Sequence, residues 1–118
     1  MYSETVLDHF RNPRNAGALT DATVSVDAKN PVCGDVLHLS VRLEDGRIAA
    51  ARFKAQGCVA SIAASSILTE LLTGRTLLEA GVITPQQISA ALGGLPPTTF
   101  HAAQLAGDAL KDLLQRLG

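Results

Sequence analysis

Residues 36–55 read VLHLSVRLEDGRIAAARFKA, and this stretch limits the chain's options more than any other. Leu37, Leu39, Val41 and Leu43 recur at every second position, with Val36, His38, Ser40 and Arg42 between them. A period of two marks a strand with distinct faces. Glu44-Asp45-Gly46 is a turn, and the segment from Arg47 to Ala55 returns as the partner strand. The pair is a hairpin. Residues 23–28, TVSVDA, alternate in the same way and supply a third strand.

The other segments read as helices. Ser3 caps a short helix to about Phe10, with Tyr2, Val6, Leu7 and Phe10 on its inner side, and Pro13 and Gly17 end it. Beyond Gly57, CVASIAASSILTELLTG has a helical composition, closed by Gly74. Thr76 and Glu79 have the spacing of a capping box. Thr84, Pro85 and Gln87 mark another helix start, and Gly93-Gly94 its end. After the rigid Pro96-Pro97, Thr98 or Thr99 opens a last helix to about Leu117, burying Leu110, Leu113, Leu114 and Leu117.

One helix, three strands and then several helices, with no βαβ alternation, predict an α+β fold. The expected architecture is a three-stranded antiparallel sheet with helices packed on one face. A length of 118 residues suits a single domain over 1–118. Only 3% of residues are aromatic, so Leu, Ile, Val and Ala must build the core.

Ten basic and eleven acidic residues leave a net charge of −1. That balance lacks the basic footprint of a nucleic-acid partner. The opening MYSETVLDHF has no basic segment followed by an apolar run, and no later run is long enough to span a bilayer. The expectation is a cytoplasmic protein with no membrane partner and reduced thiols.

The chain has two cysteines, and both sit beside glycine: NPVCGD at 30–35 and QGCVAS at 56–61. Antiparallel pairing brings the start of the second strand to the end of the third, so Cys33 and Cys58 belong to one end of the sheet. Cys58 also opens a helix, where unpaired N–H groups and the dipole favour thiolate. Asp35 offers an oxygen and His101 a nitrogen. Two thiolates, an imidazole and a carboxylate make a tetrahedral set for zinc or iron. Each residue also has an ordinary reading: a small core cysteine, a turn-forming aspartate, a satisfied histidine. His9 and His38 lie away from these loops and read as structural or solvated.

Several stretches together carry a resemblance. YSETVLDHFRNPRNAG, NPVCGD, ARFKAQGCVASIAASS and GGLPP followed by His101 resemble the IscU/NifU-type iron–sulfur cluster assembly scaffolds, specifically the NifU-like N-terminal domain. The resemblance runs over essentially the whole chain. It implies a platform that is not an enzyme, carrying a transient two-iron, two-sulfur cluster, iron, or alternatively zinc. It implies Cys33, Asp35, Cys58 and His101 as site residues. The implied partners are a cysteine desulfurase, a chaperone and acceptor apo-proteins, with the chain a monomer or weak homodimer.

The likeness breaks at one place. Where the family has His-Cys, this chain has His101-Ala102, and no other cysteine replaces the missing ligand. The chaperone-recognition stretch LPPVK reads LPPTT from Leu95 to Thr99. The insertion of SufU-like relatives is absent, which points to the Isc/Nif branch. Two alternatives stand beside the scaffold reading. One is a metal-binding relative that regulates the assembly machinery without building clusters. The other is an enzyme with Cys58 as nucleophile and His101 as base.

Overall fold

The computed structural model describes residues 2–31 and 34–117. The elements in chain order are α1 (Glu4–Arg11), β1 (Val24–Lys29), β2 (Val36–Glu44), β3 (Arg47–Gln56), α2 (Val59–Leu72), α3 (Leu77–Ala80), α4 (Pro85–Ala91) and α5 (His101–Leu117). A single 3₁₀ turn over Pro97–Thr99 precedes α5. The last helix therefore begins two residues later than Thr99, because Pro96-Pro97 first winds a tighter turn.

The sheet is antiparallel in the order β1-β2-β3. Asp45 and Gly46 both take positive φ, 53° and 76°, at the hairpin turn. A two-residue turn with this backbone matches the right-handed strand twist, which suits the Asp-Gly pair. Leu37, Leu39 and Val41 are fully buried, joined on the same face by Val26, Phe53 and Ala51. Ile48 is buried too, although its position has the wrong parity for Ala51 and Phe53. A register shift beside Arg42 and Leu43 resolves this: Arg42 pairs with Ala50 and Leu43 with Ile48. The bulge takes up one extra residue and returns Ile48 to the core face.

α5 covers β1 and β2, and α2 covers β3. α2 is buried nearly all round, from Ala60 to Leu72, because α1, α4 and α5 pack on it as well. Its small residues allow that crowding. Both capping boxes form: Thr76 with Glu79 at α3, and Thr84 with Gln87 at α4, where Pro85 takes the first position. In α5, Leu110 and Leu113 are buried as expected, while Leu114 and Leu117 are half-buried.

α1 departs from its expected facing. Val6 is buried, but Phe10 is exposed and His9 is buried instead. The reason is a hydrogen-bond chain into α2. The His9 Nδ1 lies 2.8 Å from Ser66 Oγ, and its Nε2 lies 3.3 Å from Glu70 Oε1. The Arg14 backbone N–H donates to the same Ser66 oxygen at 2.8 Å. His9 is structural, one of the two roles expected for it. His38, on the polar face of β2, pairs with Asp27 at 2.8 Å.

Candidate metal centre

Three elements deliver the candidate ligands to one end of the sheet. Asp35 immediately precedes β2, and Val36 pairs with Gln56 at the end of β3. Gly57 and Cys58 follow directly, and Cys58 is the N-cap of α2. His101 is the first residue of α5. The antiparallel register thus joins Asp35 to Cys58, and the packing of α5 across β1 and β2 brings His101 to them. The fourth residue read from the sequence, Cys33, lies outside the described residues.

One ligand atom each from Asp35, Cys58 and His101 all lie within 4.8 Å of one another. The Cys58 sulfur is 3.7 Å from Asp35 Oδ2, and His101 Nε2 is 3.9 Å from that same oxygen. A tetrahedral ion with metal–sulfur bonds of about 2.3 Å and metal–oxygen bonds of about 2.0–2.2 Å needs a sulfur–oxygen edge of about 3.6 Å. The sulfur–oxygen edge already has nearly that length. The donor set is one thiolate, one imidazole and one carboxylate, which suits zinc or ferrous iron better than a hard ion such as magnesium.

Access differs among the three. Asp35 is only 7% exposed, so the carboxylate is buried. Its burial follows from Ser61 and Gly57. Ser61 Oγ donates to Asp35 Oδ2 at 2.5 Å, the length of a charge-assisted O–H···O⁻ bond. At Gly57 an added Cβ would fall 2.5 Å from Asp35 Cγ, so the carboxyl group occupies the space that a side chain would take. Gly57 thus makes room for a ligand residue. Cys58 and His101 are half-buried. A hollow of about 510 Å³ opens beside His101, lined also by Lys29, Asn30, Thr98 and Gln104.

Ser61 escaped the sequence reading. Its position three residues after Cys58 puts both on one side of the first helical turn, which was the available signal. Its Oγ lies 3.5 Å from the Cys58 sulfur.

Ala102 is 1% exposed, in the first turn of α5 beside His101. The nucleophile–base reading finds little support, because the Cys58 thiol contacts Asp35 and Ser61 at hydrogen-bonding distance and not His101. The Glu70–His9–Ser66 chain has the order of a hydrolytic triad, but Ser66 is fully buried and already engaged by the Arg14 N–H.

The sequence model of the family described as "NifU-like N terminal domain" matches residues 1–116. Among characterised relatives, the chain is similar to the iron–sulfur cluster assembly scaffold protein IscU 1 of Archaeoglobus fulgidus, 46% identical over 111 residues, covering 94% of this chain and 72% of that protein. It is equally similar to the IscU scaffold of Haemophilus influenzae, 46% identical over 114 residues, covering 93% and 90%. A relative from Drosophila melanogaster, named an iron–sulfur cluster assembly enzyme, is 41% identical over 118 residues, covering 97% and 76%. Among solved structures, a hypothetical protein superposes with a TM-score of 0.79 at 27% identity, covering 95% of each chain. An N-terminal NifU-like protein from Brucella abortus superposes at 0.74 and 17% identity, covering 98% and 92%, which speaks to the fold alone. With the family model spanning nearly all its residues, this chain belongs to the NifU-like N-terminal domain family, the family of the IscU scaffolds.

Proposed function

We propose that this chain is a scaffold or carrier in iron–sulfur cluster assembly. Iron or a two-iron, two-sulfur cluster is its cargo, held through Cys33, Asp35, Cys58 and His101. The observation that carries this reading is the meeting of three unlike donors, from three separate elements, within 4.8 Å at one end of the sheet. Membership of the family and its named scaffold relatives supports it.

Two cysteines in place of three make the site softer in geometry and harder in chemistry. Thiolates favour clusters, so a set richer in nitrogen and oxygen holds its cargo less tightly and releases it more readily. Zinc suits the same donors. The chain acts as a single domain over 1–118 in the cytoplasm, as a monomer or weak homodimer, and performs no catalysis of its own. A cysteine desulfurase supplies sulfur, and a chaperone and acceptor apo-proteins take the product. Among the described residues no helix is long and apolar enough to cross a membrane.

Anaerobic reconstitution with ferrous iron, sulfide and reductant tests the proposal. The expected result is a visible-absorbing species with iron and sulfide in equal amounts, transferred to an apo-ferredoxin on mixing. Metal bound without sulfide would favour the regulatory relative. No metal at all would end both readings.

A further inference from the structure

The Ser61 hydroxyl is a polar group at the centre to which no ligand role has been given. It is 1% exposed, on the first turn of α2. A hydroxyl carries one proton and two lone pairs. Here the proton goes to Asp35 Oδ2 at 2.5 Å, while the oxygen lies 3.5 Å from the Cys58 sulfur. Asp35 Oδ2 is the atom on which the other donors converge, 3.7 Å from the sulfur and 3.9 Å from His101 Nε2.

A carboxylate turns freely about its last torsion, which is broad and two-fold. Ser61 and Gly57 both restrain it here. Ser61 bonds one oxygen, and the Gly57 backbone lies so close that a methyl group there would strike Asp35 Oδ1 at 2.7 Å. Ser61 is itself anchored, since its carbonyl accepts the buried Ser65 hydroxyl at 2.8 Å. Rigid helix, buried hydroxyl and carboxylate thus form a continuous support.

We infer that Ser61 is a positioning residue for the metal centre. It presents Asp35 Oδ2 to the incoming ion in a fixed orientation beside Cys58. This role rests on the proposed metal-binding reading of the site. Ligating carboxylates are normally hydrogen-bonded in turn, and losing such a partner commonly costs ~10–100-fold in metal affinity. With a thiolate ligand missing at Ala102, the carboxylate carries a larger share of the binding, so its orientation matters more.

The test is competitive titration of the full chain with Zn²⁺ against a chromophoric chelator, under reducing conditions, paired with Co²⁺ absorption spectra. The proteins are the parent, Ser61→Ala, Ser61→Thr, Ser61→Val and Gly57→Ala, each checked by thermal melting. Ser61→Ala is expected to lose about 10–100-fold in Zn²⁺ affinity and to shift the Co²⁺ ligand-field bands. Ser61→Thr should restore both, because it keeps the hydroxyl. Thr and Val have nearly the same shape, so Ser61→Val against Ser61→Thr isolates the hydroxyl even if Ala disturbs the fold. Gly57→Ala keeps every donor but displaces the carboxylate, and should weaken binding to a similar degree. Equal affinity and identical Co²⁺ bands in Ser61→Ala and the parent, or in the Val and Thr variants, would overturn the role of Ser61 while leaving the metal site intact. A parent that binds neither ion overturns the metal reading itself, and Ser61's role with it.

Discussion

His101 and Ala102 stand side by side at the start of α5, and the chemistry of the centre turns on that pair. The imidazole is half-exposed at the centre, whereas Ala102 is buried and offers only a methyl group. Ala102→Cys is expected to raise the yield and lifetime of the reconstituted cluster, by adding a third thiolate in the first turn of α5. Iron and sulfide per chain after identical anaerobic loading measure this. His101→Ala should act in the opposite direction, lowering metal affinity by at least the ~10–100-fold typical of lost supporting groups. Cys58→Ser should be more severe still, because it removes a soft donor at a helix N-terminus. The sequence made part of this legible. Antiparallel pairing alone joins the Asp35 and Cys58 loops, since both flank the β2–β3 hairpin. His101 could not be placed by periodicity, because nothing in a helical pattern says where its first turn docks. Its role came through the resemblance. Ser61 stayed hidden because a serine three residues into an Ala-rich helix has many ordinary explanations.

At the scale of elements, local signals did well wherever the partner was also local. Thr76, Glu79, Thr84 and Gln87 each find their partner three residues away, so sequence spacing contains the whole interaction. Thr84→Ala is expected to destabilise the protein by about 1 kcal/mol, the usual cost of a lost N-cap, seen as a lower urea midpoint with unchanged slope. α1 was harder to read because its burial is decided by α2, more than fifty positions away. The buried His9 follows that longer logic. Desolvation is the main cause that lowers its pKa below the usual 6.5, with the Arg14 charge acting the same way against Glu70 and Asp8. The folded protein therefore binds this proton less well than the unfolded chain. The stability that neutral His9 contributes is complete above about pH 6.5 and is lost as pH falls below that value toward its folded pKa. His9→Gln is expected to flatten the fall in melting temperature between about pH 7 and pH 5. An equally steep fall in the variant would place the acid sensitivity elsewhere.

At the scale of the whole molecule, the α+β architecture followed from one hairpin, a third alternating strand and the run of helices after them. What the pattern left out was the bulge that turns Ile48 inward, since an extra alanine among three leaves no mark in hydrophobic periodicity. The same architecture explains why the centre lies where it does. The polar face of the sheet carries Asp27, His38, Arg52 and Lys54, while α2 and α5 pack on the other face, and α2 starts directly after the end of β3. The N-cap of α2, the entrance to β2 and the start of α5 come together, and Cys58, Asp35 and His101 occupy those three places.

We propose that Asp35, Cys58 and His101 bind one metal ion together. X-ray absorption at the zinc edge of the Zn²⁺-loaded protein tests it most directly. The predicted spectrum is four-coordinate, with sulfur at about 2.3 Å and nitrogen or oxygen at about 2.0–2.2 Å, and an imidazole signature that His101→Ala removes. A six-coordinate shell of oxygen and nitrogen with no sulfur, unchanged in Cys58→Ser and His101→Ala, would contradict it.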